Sequence, residues 1–198
     1  MRRIPDYDGL YVIAENQAGY FTASQASEVG FSWERLSSNA KTGLFLRVAR
    51  GVYRLSRFPG SAYEDLFVAW LRTGRKAVIS HESALSVYEL TDVLPSETHV
   101  IVPRTASRRR KGIRQHTNQL SPDEITRREG LPVTTVARTI ADVSISGLAE
   151  EQVQQAVRES LQRGLTSQDE LLSHADRRGG RAKRIIQAIL SEEMKHEI

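Results

Sequence analysis

Glycines at 30, 43 and 51 cut residues 22–55 into short pieces, and that cutting limits the fold more than any other feature of the chain. "TASQASEVG" opens on Thr22, which can cap a helix, and ends on Gly30, which can close it. Ser32 can cap the next piece, a helix running to about Thr42 that Gly43 ends. "LFLRV" and "VYRL" are then two β-prone runs joined by "ARG", where Gly51 is available for the positive φ of a hairpin turn. Upstream, residues 6–17 set Leu10, Tyr11, Ile13 and Ala14 at helical spacing.

Three helices followed by a β-hairpin is the order of a winged helix–turn–helix, and the "EVGFS" link is short and contains glycine, as that motif requires. Winding the third helix at about 100° per residue puts Trp33, Leu36, Ala40 and Gly43 on one side, the expected core side. Glu34, Ser37, Ser38 and Lys41 fall opposite, with Arg35 and Thr42 on a flank. Asn39 falls at the margin, on a side that the wheel does not decide. Such an outward face has the chemistry of a recognition helix: Arg and Lys reach guanine or phosphate, and Ser and Thr bond bases or phosphates. Arg47 and Arg50 at the hairpin, with Arg54 on its return strand, add a cationic wing suited to the DNA backbone or a minor groove. Thr22 and Ser32, at the helix starts, complete the expected DNA-facing set. Trp33 is expected in the core.

The charge distribution supports a polyanionic partner. The chain carries a net charge of +4, but residues 31–58 hold six basic residues against one acid, Glu34. Residues 101–114 hold six more (Arg104, Arg108, Arg109, Arg110, Lys111 and Arg114) against none. Two basic stretches thus sit on a body that is acidic on balance, an electrostatic footprint for nucleic acid. The "RRRKG" loop reads as a solvated loop, a second DNA contact, or a docking surface for an acidic partner or RNA.

The expected architecture is α+β in two domains. Residues 1–58 form the winged helix, and "RFPGS" (57–61) breaks the chain. The second domain, 61–198, is mixed α/β with a helical C-terminal third. Ser61 and Glu64 spell a capping box for a helix ended by Gly74. "AVIS" (77–80), "THVIVP" (98–103) and "IRQHTN" (113–118) read as strands, and "HESALSVYEL" (81–90) as a helix. "REGLPVTT" reads as a lead-in to the helix 135–144, and helices are expected at 149–163, 167–176 and 180–195.

No catalytic constellation is expected. The absence of cysteine excludes disulfides, thiolate catalysis and cysteine zinc sites. His81, His99, His116, His174 and His196 include no HxxxH or HExxH spacing, so no metal is expected, and His81 reads as structural. Ser80 beside His81 is no nucleophile–base pair, and neither a P-loop nor GxGxxG occurs. A metal-dependent nuclease needs acids at strand ends, which "AVIS" and "HVIVP" lack; the one Glu-x-Lys, Glu193 and Lys195, falls on the terminal helix. Asp142 is expected to cap or pair locally. Neither a signal-peptide run nor a membrane span is evident, so a cytoplasmic chain without membrane contact is expected.

The segment "YFTASQASEVGFSWERLSSNAKTGLFLRVARGVYRL" resembles the N-terminal winged helix of AbiEi-type antitoxins from type IV toxin–antitoxin systems. "AVISHESALSVYEL", "THVIVP", "GIRQHT" and "GLPVTTVARTIADVS" look like the order of segments in their second domain, so the resemblance spans about residues 5–175. It implies a repressor that binds inverted repeats in its own promoter, double-stranded DNA being the partner. It also implies a second domain that counters a nucleotidyltransferase toxin, with no catalytic activity and no cofactor of its own. Carried over, Arg35, Ser37, Ser38 and Lys41 are recognition-helix contacts, with Arg47 and Arg50 in the wing. Asn39 is a departure, since related sequences more often have an apolar residue there. Two rival readings differ in class. One is a winged-helix regulator whose second domain is a protein- or RNA-interaction module unrelated to a toxin; the other is the nuclease.

Overall fold

A computed structural model of the chain describes residues 4–92, 95–104 and 109–196, and the fold is α+β. It divides into two compact units, Met1–Ala77 with Glu129–Leu131, and Val78–Arg128 with Pro132–Ile198.

In the first unit the Asp6 carboxylate accepts a hydrogen bond from Gly9 N at 2.8 Å and starts α1 (Tyr7–Glu15). Next come β1 (Tyr20–Thr22), α2 (Ala23–Glu28), α3 (Trp33–Lys41), β2 (Phe45–Ala49) and β3 (Val52–Leu55). Strand β1, too short to show alternation in the sequence, pairs antiparallel with β3, Phe21 facing Tyr53, in a sheet of order β1-β3-β2. The β2–β3 wing turns at Gly51, whose φ of 76° suits glycine. Leu10, Ala14, Phe21, Ala26, Phe31, Leu36, Phe45 and Tyr53 form one core, in which Phe21 meets Phe45 edge to face at 5.1 Å.

This unit does not stop at the Pro/Gly break. Helix α4 (Glu64–Thr73), expected to open the second domain, packs on β1: the Tyr20 ring stacks on Phe67 at 5.2 Å, and the Tyr20 hydroxyl donates to Glu64 Oε2 at 2.7 Å. Glu64 therefore does not close a capping box with Ser61. The N-cap is Tyr63, without a side-chain bond, and Ser61 Oγ accepts from Tyr63 N at 3.0 Å.

The second unit is built on a five-stranded sheet of order β6-β5-β4-β8-β7. Its strands are β4 (Val78–Ile79), β5 (Thr98–Ile101), β6 (Ile113–His116), β7 (Ile125–Arg128) and β8 (Leu131–Thr134). Strand β4 runs antiparallel to β5 and parallel to β8, and β5 runs parallel to β6. "REGLPVTT" is thus a strand and turn, not a lead-in; Pro132 hides the strand signal, because proline demotes a run read as β. The helices are α5 (His81–Tyr88), α6 (Val136–Ser146), α7 (Glu150–Gln162), α8 (Gln168–Arg178) and α9 (Gly180–His196).

Every residue of α6 from Val136 to Ser144 is buried, and α5, α8 and α9 pack against it. Its two charged residues are satisfied internally. Arg138 bonds Glu124 Oε2 and Asp142 Oδ2, each at 2.9 Å, and Asp142 Oδ1 takes Arg178 at 2.8 Å. Asp142 therefore pairs locally.

Candidate nucleic-acid interface

The start of α2 is held by a chain of polar contacts that begins at Thr22. Thr22 Oγ1 accepts from Gln25 N at 3.1 Å, while Thr22 N donates to Gln25 Oε1 at 2.8 Å. Gln25 Nε2 then donates to Gln17 Oε1 at 2.8 Å, and Gln17 Nε2 to the Tyr20 carbonyl at 2.8 Å. These two buried glutamines fix the angle at which α2 leaves β1. Thr22 is half-buried and committed to the cap, so its hydroxyl is not turned to solvent as Ser38 and Lys41 are.

Ser32 Oγ caps α3 by accepting from Arg35 N at 3.3 Å. Along α3, Leu36 and Asn39 are buried, Ser37 and Ala40 half-buried, and Ser32, Glu34, Arg35, Ser38, Lys41 and Thr42 exposed. The Thr42 hydroxyl donates to the Asn39 carbonyl at 3.2 Å, which ends the helix locally. Trp33, expected in the core, is 60% exposed. Asn39 has the inward position instead, where its Nδ2 donates to the Tyr7 hydroxyl at 3.2 Å. An exposed indole at the first turn thus stands with Arg35, Ser38 and Lys41, and the wheel had no means of separating it from Leu36.

In the wing, Arg47 and Arg50 are exposed, and a register shift between Arg47 and Ala49 bends β2 just before the tip. Arg54 is placed differently. Its Nη1 donates to the Phe58 carbonyl at 3.1 Å and its guanidinium lies 5.9 Å from the Tyr20 ring centroid, so it is spent inside the unit.

In the second unit Arg104, Arg109, Lys111 and Arg114 are exposed and Arg110 is half-buried beside its bridge to Ile113. Arg108 lies outside the described residues, as do the side chains of Glu193 and Lys195. Among the described residues no strand carries an Asp or Glu within its span.

One constellation escaped the sequence spacing. His81, His99 and His116, remote in sequence, offer nitrogens that all lie within 4.8 Å of one another and could hold a metal ion. Burial pushes His81 down to about 3 and His116 down to about 4, with neighbouring imidazoles adding to the shift. Burial alone would raise the Glu82 carboxyl, but the hydrogen bond with His99 helps to hold it at about 2. The signal available in the sequence was positional: each histidine stands in or directly after a short strand.

Residues 12–56 match the model of a family described as transcriptional regulator, AbiEi antitoxin, in agreement with the resemblance read from the winged-helix segment. No curated protein gives a significant match to the chain. Among the described residues no helix is long and apolar enough to cross a membrane.

Proposed function

We propose that this chain is a DNA-binding transcriptional repressor and antitoxin, with α3 in the major groove and the β2–β3 wing on the adjacent backbone or minor groove. The observation that carries this reading is the composition of one face: Trp33, Arg35, Ser38 and Lys41 are exposed on α3, and Arg47 and Arg50 are exposed on the wing. Arg35 and Lys41 supply base or phosphate contacts, Ser37 and Ser38 bond bases or phosphates, and Trp33 offers an apolar surface for a thymine methyl or sugar. Arg47 and Arg50 neutralise phosphates. Ser32 and Thr42 flank the helix at its two ends. The match over residues 12–56 supports the regulator and antitoxin reading.

In the finer form of this proposal the protein represses its own operon through inverted repeats and counteracts a nucleotidyltransferase toxin of a type IV system. It works in the cytoplasm and without catalysis of its own. The test has two parts. A mobility-shift titration should give preferential binding to the upstream region over scrambled DNA, and equal affinity for both refutes operator recognition. Where a nucleotidyltransferase gene adjoins this one, co-expression should restore growth to cells carrying that enzyme, and unchanged toxicity refutes the antitoxin role.

A second reading rests on the cations of the other unit. Exposed Arg104, Arg109, Lys111 and Arg114 suit RNA or an acidic protein surface. Under that reading, charge reversal at Arg109 and Lys111 abolishes neutralisation while promoter binding stays intact.

A further inference from the structure

We propose that His81, His99 and His116 form a binding site for one divalent transition-metal ion of the zinc class, with Glu82 orienting His99.

The sheet register brings these residues together. Strand β5 runs parallel to β6 with Ile101 opposite His116, and His99 stands two residues before Ile101. Side chains two apart on a strand share a face, and so do directly paired ones, so His99 and His116 project from the same side of the sheet. On the other flank β4 ends at Ile79, and the N–H of the following Ser80 donates to the His99 carbonyl at 3.1 Å. His81 follows with φ at 52°, a left-handed conformation uncommon for a residue with a side chain. That turn carries its imidazole onto His116: the rings stack with centroids 3.6 Å apart and 12° between planes. His99 lies 5.2 Å from His116 and 5.8 Å from His81 by ring centroid.

The polar atoms around the rings have the arrangement of an outer ligand sphere. His99 Nδ1 lies 2.5 Å from Glu82 Oε2, and Glu82 Oε1 in turn accepts from Ser146 Oγ at 3.0 Å. His81 Nδ1 lies 3.0 Å from Ser80 Oγ. Each of those two rings thus has one nitrogen held by the chain, which leaves its Nε2 as the free donor. Metal-binding histidines are oriented in this way, the second nitrogen tied to a carboxylate or hydroxyl. His116 Nε2 is buried and has no hydrogen-bond partner among the described residues. A buried polar atom in that condition costs free energy that a ligand would recover.

The donor set selects the ion. Three imidazoles and no thiolate favour zinc, copper, nickel or cobalt over magnesium or calcium, which prefer oxygen. With bonds of 2.0–2.1 Å a tetrahedral set has its nitrogens about 3.3 Å apart. From the present limit of 4.8 Å the nitrogens must draw together by rotation of the imidazoles for an ion to bind. Three protein ligands leave a fourth position for water or a small anion. Arg178, the cation bearing on His81 and His116 from another element, is already bound to Asp142 at 2.8 Å.

The test uses the untagged full-length protein, stripped with a chelator and titrated with Zn²⁺ by calorimetry and with Co²⁺ by visible absorption. The expected result is one ion per chain, with the ligand-field bands of a four-coordinate nitrogen site for Co²⁺. Mg²⁺ should give neither heat nor thermal stabilisation. His99→Gln and His116→Gln should each weaken Zn²⁺ binding at least tenfold, and His196→Gln should leave it unchanged. Glu82→Gln should keep the stoichiometry and weaken affinity about 10–100-fold. Absence of stoichiometric binding by the wild-type chain overturns the proposal, whatever the variants do. So does wild-type affinity in a folded His99→Gln/His116→Gln double variant.

Discussion

Asn39 Nδ2 donates to the Tyr7 hydroxyl across 3.2 Å, and this one bond ties the exposed helix α3 back to α1. It also sets the rotation of α3. Measured from Leu36, Asn39 lies about 60° to one side of the helix and Trp33 about 60° to the other. A side chain that bonds Tyr7 turns the buried stripe towards Asn39 and leaves Trp33 outside. Asn39 is therefore expected to make no DNA contact. Asn39→Ala is expected to cost about 0.5–1.5 kcal/mol, the usual net worth of such a bond, because the exposed Tyr7 hydroxyl can turn to water. Urea unfolding measures the cost, and DNA affinity should change less than twofold. A large loss of affinity in the folded variant would put Asn39 in the interface.

The wing arginines and Arg54 should separate in one salt titration. Arg47→Ala and Arg50→Ala each remove an exposed cation, so each should lower the slope of log affinity against log salt by about 0.9. Arg54→Ala removes a guanidinium already committed to the Phe58 carbonyl and the Tyr20 ring. Its slope should stay at the wild-type value while the melting temperature falls. Wild-type slopes for Arg47→Ala and Arg50→Ala would mean that the wing does not touch phosphate.

The first unit was largely legible because its signals are local. Caps at Thr22 and Ser32 and stops at Gly30, Gly43 and Gly51 each act within a few residues, and the helices and the wing follow from them. What stayed hidden depends on pairing across long separations. β1 is a strand only because β3 lies beside it, and Glu64 reads as a capping residue until Tyr20, remote in sequence, takes its carboxylate. The histidine cluster belongs to the same class, since no spacing rule joins positions 81, 99 and 116 before the sheet order is known. Trp33 failed for another reason. A wheel ranks apolar residues by angle alone, so it grouped Trp33 with Leu36 and left polar Asn39, at the mirror angle, undecided.

Because α4 is an integral part of the first unit, shortening Phe67 should disturb the winged helix. Phe67 is fully buried against Tyr20, so Phe67→Ala in the full-length chain should destabilise that unit by about 3–5 kcal/mol. Near-ultraviolet circular dichroism during urea unfolding follows the tyrosines concerned. A winged helix that melts as before would return the boundary to the Pro/Gly break.

The same contact predicts alkaline sensitivity. Burial and the Glu64 carboxylate push the Tyr20 phenol up to about 12, from its ordinary value of 10.0. Below pH 10 the phenol is protonated in both states and its contribution to stability is intact. Between about 10 and 12 the unfolded chain releases the proton first, so stability falls as pH rises through that window. Burial pushes Tyr88 up to about 12 as well, so it adds to the same loss. Tyr20→Phe should flatten part of the decline, as followed by urea midpoints at stepped pH.

Arg138 makes the most demanding prediction, because it is a buried cation that joins separate parts of the second unit. It bridges Glu124, at the end of the 3-10 turn Pro122–Glu124, to Asp142 on its own helix. Removal leaves two carboxylates with less compensation than they have now. Asp142 keeps Arg178, and Glu124 keeps its hydrogen bond to Ser121 N at 3.0 Å. Breaking a buried pair by deleting one partner typically costs about 3–5 kcal/mol, so Arg138→Met should lose stability on that scale despite its similar apolar volume. Arg138→Lys retains the charge but cannot reach both carboxylates with a planar fork, and it should fall between Met and wild type. Adding Glu124→Gln and Asp142→Asn to Arg138→Met removes the stranded charges, and the triple variant should regain part of the loss. If Arg138→Met alone is neutral, the bridge does not hold α6 in place, and the apolar packing of Ile140 and Val143 suffices.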